Sequence, residues 1–222
     1  MTNLPPGVWE DDEYIYIPEE LLQHFPQPYR EAIEAQRQQG SDALRIADQD
    51  IQSLVRLAHD IPAASSLSYI YHRLRTATFE PTTEVLMEQE MMTTAFVVTY
   101  ARLFNSRRGG SGIARSKIPA HLKQVHDDII DIRHKRYAHT DEHRSVGSGV
   151  QIKFSGSEFN VELQLQLGLY IGGRNEWAEL VSFIDEYIHD RLQKILKRLE
   201  DKTGYKWSFP VGPAPSWVGD YG

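Results

Sequence analysis

The 222-residue sequence predicts a mainly α-helical fold, an antiparallel bundle with one β-hairpin inserted before the last helix. Three observations carry that expectation. Apolar residues recur at spacings of three and four through most of residues 41–132 and again over 175–199, the period of a half-buried helix. Residues 150–171 switch to strict alternation, the period of a strand. Five prolines (Pro5, Pro6, Pro18, Pro26, Pro28) and the segment TGYKWSFPVGPAPSWVGDYG interrupt any period at the two ends. The expected organisation is therefore an N-terminal arm with short helices (1–40), one helical domain (41–199) that includes the hairpin, and an irregular aromatic tail (200–222).

Composition narrows the function. With 41% apolar residues the chain can fill one core, and a formal charge of −7 argues against a general nucleic-acid coat while leaving room for a basic face. The absence of cysteine removes disulfides, thiolate nucleophiles, zinc ribbons and iron–sulfur clusters from consideration. It also suits a reducing compartment. The N-terminus lacks a basic region followed by an apolar run, and nowhere do eighteen apolar residues stand together. The expectation is a soluble, cytoplasmic protein with no membrane partner and no cofactor.

In chain order, Ser41-Asp42 reads as an N-cap for a helix whose face carries Leu44, Ala47, Ile51, Leu54 and Ala58 and which ends near Pro62. Leu67, Ile70, Tyr71 and Leu74 continue it, either folded back or as a kinked extension. Thr82 or Thr83 caps the next helix, with Glu84 in its first turn. Its body from Met91 to Phe104 is apolar almost all round, which places it at the centre, with Met87, Met91 and Met92 as core filler. After a glycine-rich break, Pro119 opens a helix with Leu122, Val125, Ile129 and Ile132. Val150, Ile152 and Phe154, a Gly156-Ser157 turn, and Phe159 through Ile171 then form a hairpin with one buried face. Asn175 caps the last helix, whose Trp177, Val181, Ile184, Ile188, Ile195 and Leu199 are core or a dimer seam.

Positive charge is segregated. Between Met91 and His126 stand Arg102, Arg107, Arg108, Arg115, Lys117 and Lys123 with no acid among them. The segment Arg133-His134-Lys135-Arg136-Tyr137-Ala138-His139-Thr140-Asp141-Glu142-His143 follows directly. Within it, Arg133-x5-His139 at the end of an apolar helix resembles the R-x4-6-H motif of the HEPN superfamily, and the Tyr100–Phe104 helix with its glycine-rich loop is similar to the AbiU2-like abortive-infection branch. The likeness spans roughly residues 41–199. It implies a dimeric helical bundle acting as a metal-independent endoribonuclease in a toxin or antiphage setting, with RNA, a second copy and a cognate antitoxin as partners. The inserted hairpin departs from the minimal bundle.

The residue types suit that chemistry. Cleaving RNA without a metal requires a base for the 2′-hydroxyl proton, an acid for the leaving oxygen and a fixed cation for the phosphate. His139 can serve as acid or base near neutral pH, and Arg133 offers a planar fork for two phosphate oxygens. His134 and Arg136 complete the candidate catalytic set, with Asp141 or Glu142 to orient an imidazole. Arg102, Arg107, Arg108, Arg115 and Lys117 form the candidate RNA-binding face. Six positions along an ideal helix leave Arg133 and His139 about 120° apart. Convergence therefore needs a helix end, a bend, or a two-fold dimer.

Two other readings compete. The cluster can be a solvated helix end whose acids pair with Lys135 or Arg136. Alternatively, His139 and His143, joined by His134, Asp141 or Glu142, can ligate a metal, although the flanking arginines repel a cation. The isolated His24, His59, His72 and His189 read as surface or satisfied core residues.

Overall fold

The computed structural model describes residues 7–12, 14–78, 80–105, 112–138, 146–167, 175–210, 212 and 215. Among them the chain is mainly helical, with a hairpin before the last helix. Two short strands, β1 (Trp9–Glu10) and β2 (Ile15–Tyr16), pair antiparallel at the start. Asp11 closes their turn: one carboxylate oxygen accepts from the Tyr14 amide at 2.7 Å and the other from the Tyr16 hydroxyl at 2.8 Å. Trp9 and Tyr16 stack at 3.7 Å. A single turn of helix, α1 (Glu19–Leu22), leads into α2 (Gln27–Thr76).

Helix α2 revises the expected boundaries. It starts at Gln27, so Ser41 and Asp42 lie inside it and cap nothing; Asp42 instead accepts from Arg45 and Gln38 along the helix. Residues 27–40 are rich in Glu, Ala, Gln and Arg, which favour helix without burial, and pairs such as Gln27 with Glu31 support them. The first buried residue is Ala47. The twenty residues before it therefore form a rod about 30 Å long outside the buried core, and Arg37 on this rod pairs with Glu19 of α1 at 3.3 Å. Nor does Pro62 end the helix. Pro62 and Ala58, whose carbonyl loses its donor, are both exposed, so water can take the orphaned acceptor and the helix continues.

The remainder packs around α2. Helix α3 (Thr83–Leu103) is capped by Thr82, whose hydroxyl accepts from the Val85 amide at 3.3 Å. As its composition predicts, α3 lies centrally, against α2 and against α4 (Lys123–Ile132). Helix α5 (Asn175–Thr203) runs along α2 and buries Trp177, Leu180, Val181, Ile184, Ile195 and Leu199, so its stripe is core. Phe96 and Trp177 stack at 4.3 Å in the middle. Met92 packs on the core, but Met87 and Met91 are exposed on the opposite face of α3 and fill nothing. Gly204, at φ +73°, ends α5 by donating its amide to the Glu200 carbonyl, and Trp207 folds back to donate to Thr203 Oγ1 at 2.9 Å.

One buried carboxylate ties α2 to α5. Asp50 accepts from Arg198 at 2.8 Å and lies 2.5 Å from Lys202. These two cations, Lys202 foremost, hold its carboxyl below the usual range. A depressed carboxylate contributes stability that is complete above the unfolded value near 4 and is lost as pH falls through the folded one. Asp50→Asn should therefore lower stability at pH 7 by about 2 kcal/mol. Denaturant titrations should show the gap to wild type closing below pH 4, and a gap constant down to pH 3 would exclude the ion pairs as its cause.

The second hairpin, β3 (Val146–Ser155) and β4 (Glu158–Leu167), forms where alternation predicts, with Phe154 opposite Phe159 and Gly156 in the turn at φ +66°. Its apolar face, expected to be buried, is open instead. Val150, Ile152, Phe154, Phe159 and Val161 are all 60–68% exposed. The strands pack on each other and on no other described element to a comparable extent.

Candidate functional site

The site is built where α4 leaves the core. Leu122, Ile129 and Ile132 seat α4 between α3 and α5. From Arg133 to Ala138 the helix loosens into a π-helical turn. Its i→i+5 pattern advances about 80° per residue in place of 100°, so Arg136 lies about 120° round from Arg133 where an α-helix would separate them by about 60°. The two arginines consequently face different surroundings.

Arg133 and His134 line a cavity of about 610 Å³, within the range of small-ligand sites. Its other walls come from His59, Asp60 and Ala63 of α2, Val98 and Ala101–Leu103 at the end of α3, the following Phe104 and Asn105, the segment Ile113–Arg115, and His126 and Ile130 of α4. Arg102, Arg115 and Arg133 place three cations around it against one carboxylate, Asp60. Among the described residues no carboxylate pairs with Arg102 or Arg133. Arg115 is engaged, with Nε donating to Asp127 at 2.7 Å and a second nitrogen to the other oxygen. That fork holds the Asp127 carboxyl below its ordinary value.

His126 forms the inner wall. It is 5% exposed, and burial lowers its pKa and keeps it neutral. Its Nδ1 lies 2.7 Å from the Tyr100 hydroxyl, itself buried and pushed far above the usual phenol range. Tyr100 has no other acceptor among the described residues, so its hydroxyl donates to Nδ1. Donation from Tyr100 places the imidazole proton on Nε2, the ring nitrogen that this contact does not engage. Phe104 packs on the ring at 4.5 Å between centroids and fixes its plane.

Arg136 is absent from this lining. Its side chain is 4% exposed and ion-paired with Glu90 of α3. Lys135 pairs along the helix with Asp131 at 3.0 Å, and Lys117 is exposed in a short 3₁₀ turn outside the cavity. Of the expected set, the structure thus gathers Arg133, His134, Arg102 and Arg115, while Arg107, Arg108, His139, Asp141, Glu142 and His143 lie outside the described residues. Among the described residues no three His, Asp or Glu side chains form a metal-ligand group.

No protein-family model, curated protein or solved structure matches this chain. No helix among the described residues is long and apolar enough to cross a membrane.

His126 stands at core spacing, four after Leu122 and three before Ile129, where a histidine merges with the apolar stripe and does not stand out as a site residue. The signal was there to weigh: a histidine on the buried face of α4, with a tyrosine in the neighbouring apolar helix. His59, read as isolated, lines the cavity beside the buried Asp60.

Proposed function

We propose that the protein is a HEPN-like, metal-independent endoribonuclease of a toxin or antiphage system, a cytoplasmic homodimer whose phosphate-binding pocket is this cavity and whose further partner is a cognate antitoxin. The observation that carries the reading is the lining itself: Arg133 and His134, from the turn that resembles the HEPN motif, beside Arg102 and the buried His126. In the reaction the 2′-hydroxyl oxygen attacks phosphorus and the P–O5′ bond breaks, leaving a 2′,3′-cyclic phosphate and a 5′-hydroxyl. Arg133 and Arg102 hold the non-bridging oxygens and oppose the charge that builds on them. His126 donates a hydrogen bond to the same phosphate. The proton of the 2′-hydroxyl passes to one imidazole and a proton reaches the leaving oxygen from another. His134 and His139 are assigned these two tasks.

A second reading, a dimeric HEPN-like binding or regulatory module without catalysis, has Arg136 in its favour: part of the motif segment is occupied in holding α3. One assay separates the two. In EDTA the purified protein should cut single-stranded RNA to 2′,3′-cyclic ends, and His139→Ala should remove that activity. RNA that is bound and left whole selects the binding module, and RNA cut equally by the variant removes His139 from the chemistry.

A further inference from the structure

We propose that the apolar face of the β3–β4 hairpin is the contact through which two copies of this chain associate, face against face. The cross-strand register places Val150, Ile152, Phe154, Phe159 and Val161 on one side, and it carries Leu163, Leu165 and Leu167 opposite Val150, Ser148 and Val146. The other side holds Gln151, Lys153, Asn160 and Glu162, with Lys153 and Glu162 paired across the strands at 2.6 Å. One face is thus built for water and the other is not.

Three arguments favour a second copy as the occupant. A two-stranded hairpin with no further packing is marginal in water, and these ten-residue strands rest on no other described element to a comparable extent. The exposed face carries no charge among its five described side chains, so a two-fold axis would set apolar surface on apolar surface with nothing to desolvate or repel. The area also suffices. At 60–68% exposure, those five side chains leave on the order of 500 Å² open in each copy, and two copies together reach about 1,000 Å², where specific interfaces begin. Stacked hairpins would lie about 10 Å apart as a four-stranded sandwich.

This inference does not depend on the RNA reading, and its test measures mass and proximity. The chain has no cysteine, so Ile152→Cys introduces a single thiol on the apolar face and Lys153→Cys a single thiol on the polar one. In the full-length protein at about 10 µM, light scattering should give twice the chain mass. Ile152→Glu/Phe159→Glu should halve it, raising the dissociation constant about 100-fold or more while helical circular dichroism stays unchanged. Mild oxidation should cross-link Ile152→Cys and leave Lys153→Cys monomeric on a denaturing gel. A wild-type monomer would overturn the proposal, as would a dimer whose mass survives the double substitution, or equal cross-linking from both faces.

Discussion

Trp177→Ala should lower stability by about 4 kcal/mol, the largest loss expected from any single truncation in the core. Trp177 is 2% exposed and lies flat on Phe96, with 4.3 Å between ring centroids and 3° between planes. Phe96 belongs to the central helix α3 and also meets Tyr71 of α2 and Tyr100. The truncation therefore opens a void where α2, α3 and α5 converge, and rigid neighbours close such a void only in part. At about 2–4 °C per kcal/mol for a chain of this size, the melting temperature should fall by about 10 °C. Trp177→Phe keeps an aromatic face on Phe96 and should lose less than half as much. A drop under 2 °C for the alanine variant, read by calorimetry, would mean that the stack is peripheral to folding.

The stripe that contains Trp177 was readable because helical period and burial coincide along α5. The same logic located Thr82, the central α3 and the turn at Gly156. It failed where a residue's effect depends on what stands across from it. Pro62 carries the same penalty in any sequence, but whether a helix survives it turns on the solvation of the Ala58 carbonyl, which only the assembled bundle determines. Alternation in β3 and β4 tells that one face is apolar and says nothing of what covers it, so the open face was legible as a pattern and not as an exposure. Arg133 and Arg136 both entered the candidate catalytic set, and the π-helical turn from Arg133 to Ala138 that parts them leaves no mark in the apolar pattern. His126 was hidden by its own position, since a polar ring at a core spacing looks like an interruption of the stripe until Tyr100 is seen to satisfy it.

The separation of those two arginines yields the sharpest expected difference between neighbouring substitutions. Arg133→Ala should leave the melting temperature unchanged, because its side chain is only part-buried and pairs with no carboxylate among the described residues. On the proposed function it should reduce RNA cleavage by on the order of 100-fold, the cost of removing one preorganised partner of the phosphate charge. Arg136→Ala should do the reverse. Its guanidinium is 4% exposed and its loss leaves Glu90, 26% exposed, without that cation; breaking such a pair from one side costs about 3 kcal/mol. Replacing both, Arg136→Met with Glu90→Leu, removes the acid together with this cation and should restore most of that stability. Cleavage per folded molecule in this double variant should equal wild type, since neither side chain lines the cavity. If the double variant folds and melts normally yet no longer cuts RNA, Arg136 belongs to the chemistry and the cavity has been drawn too narrowly. If Arg133→Ala cuts as well as wild type, phosphate binding must be placed elsewhere on the basic face.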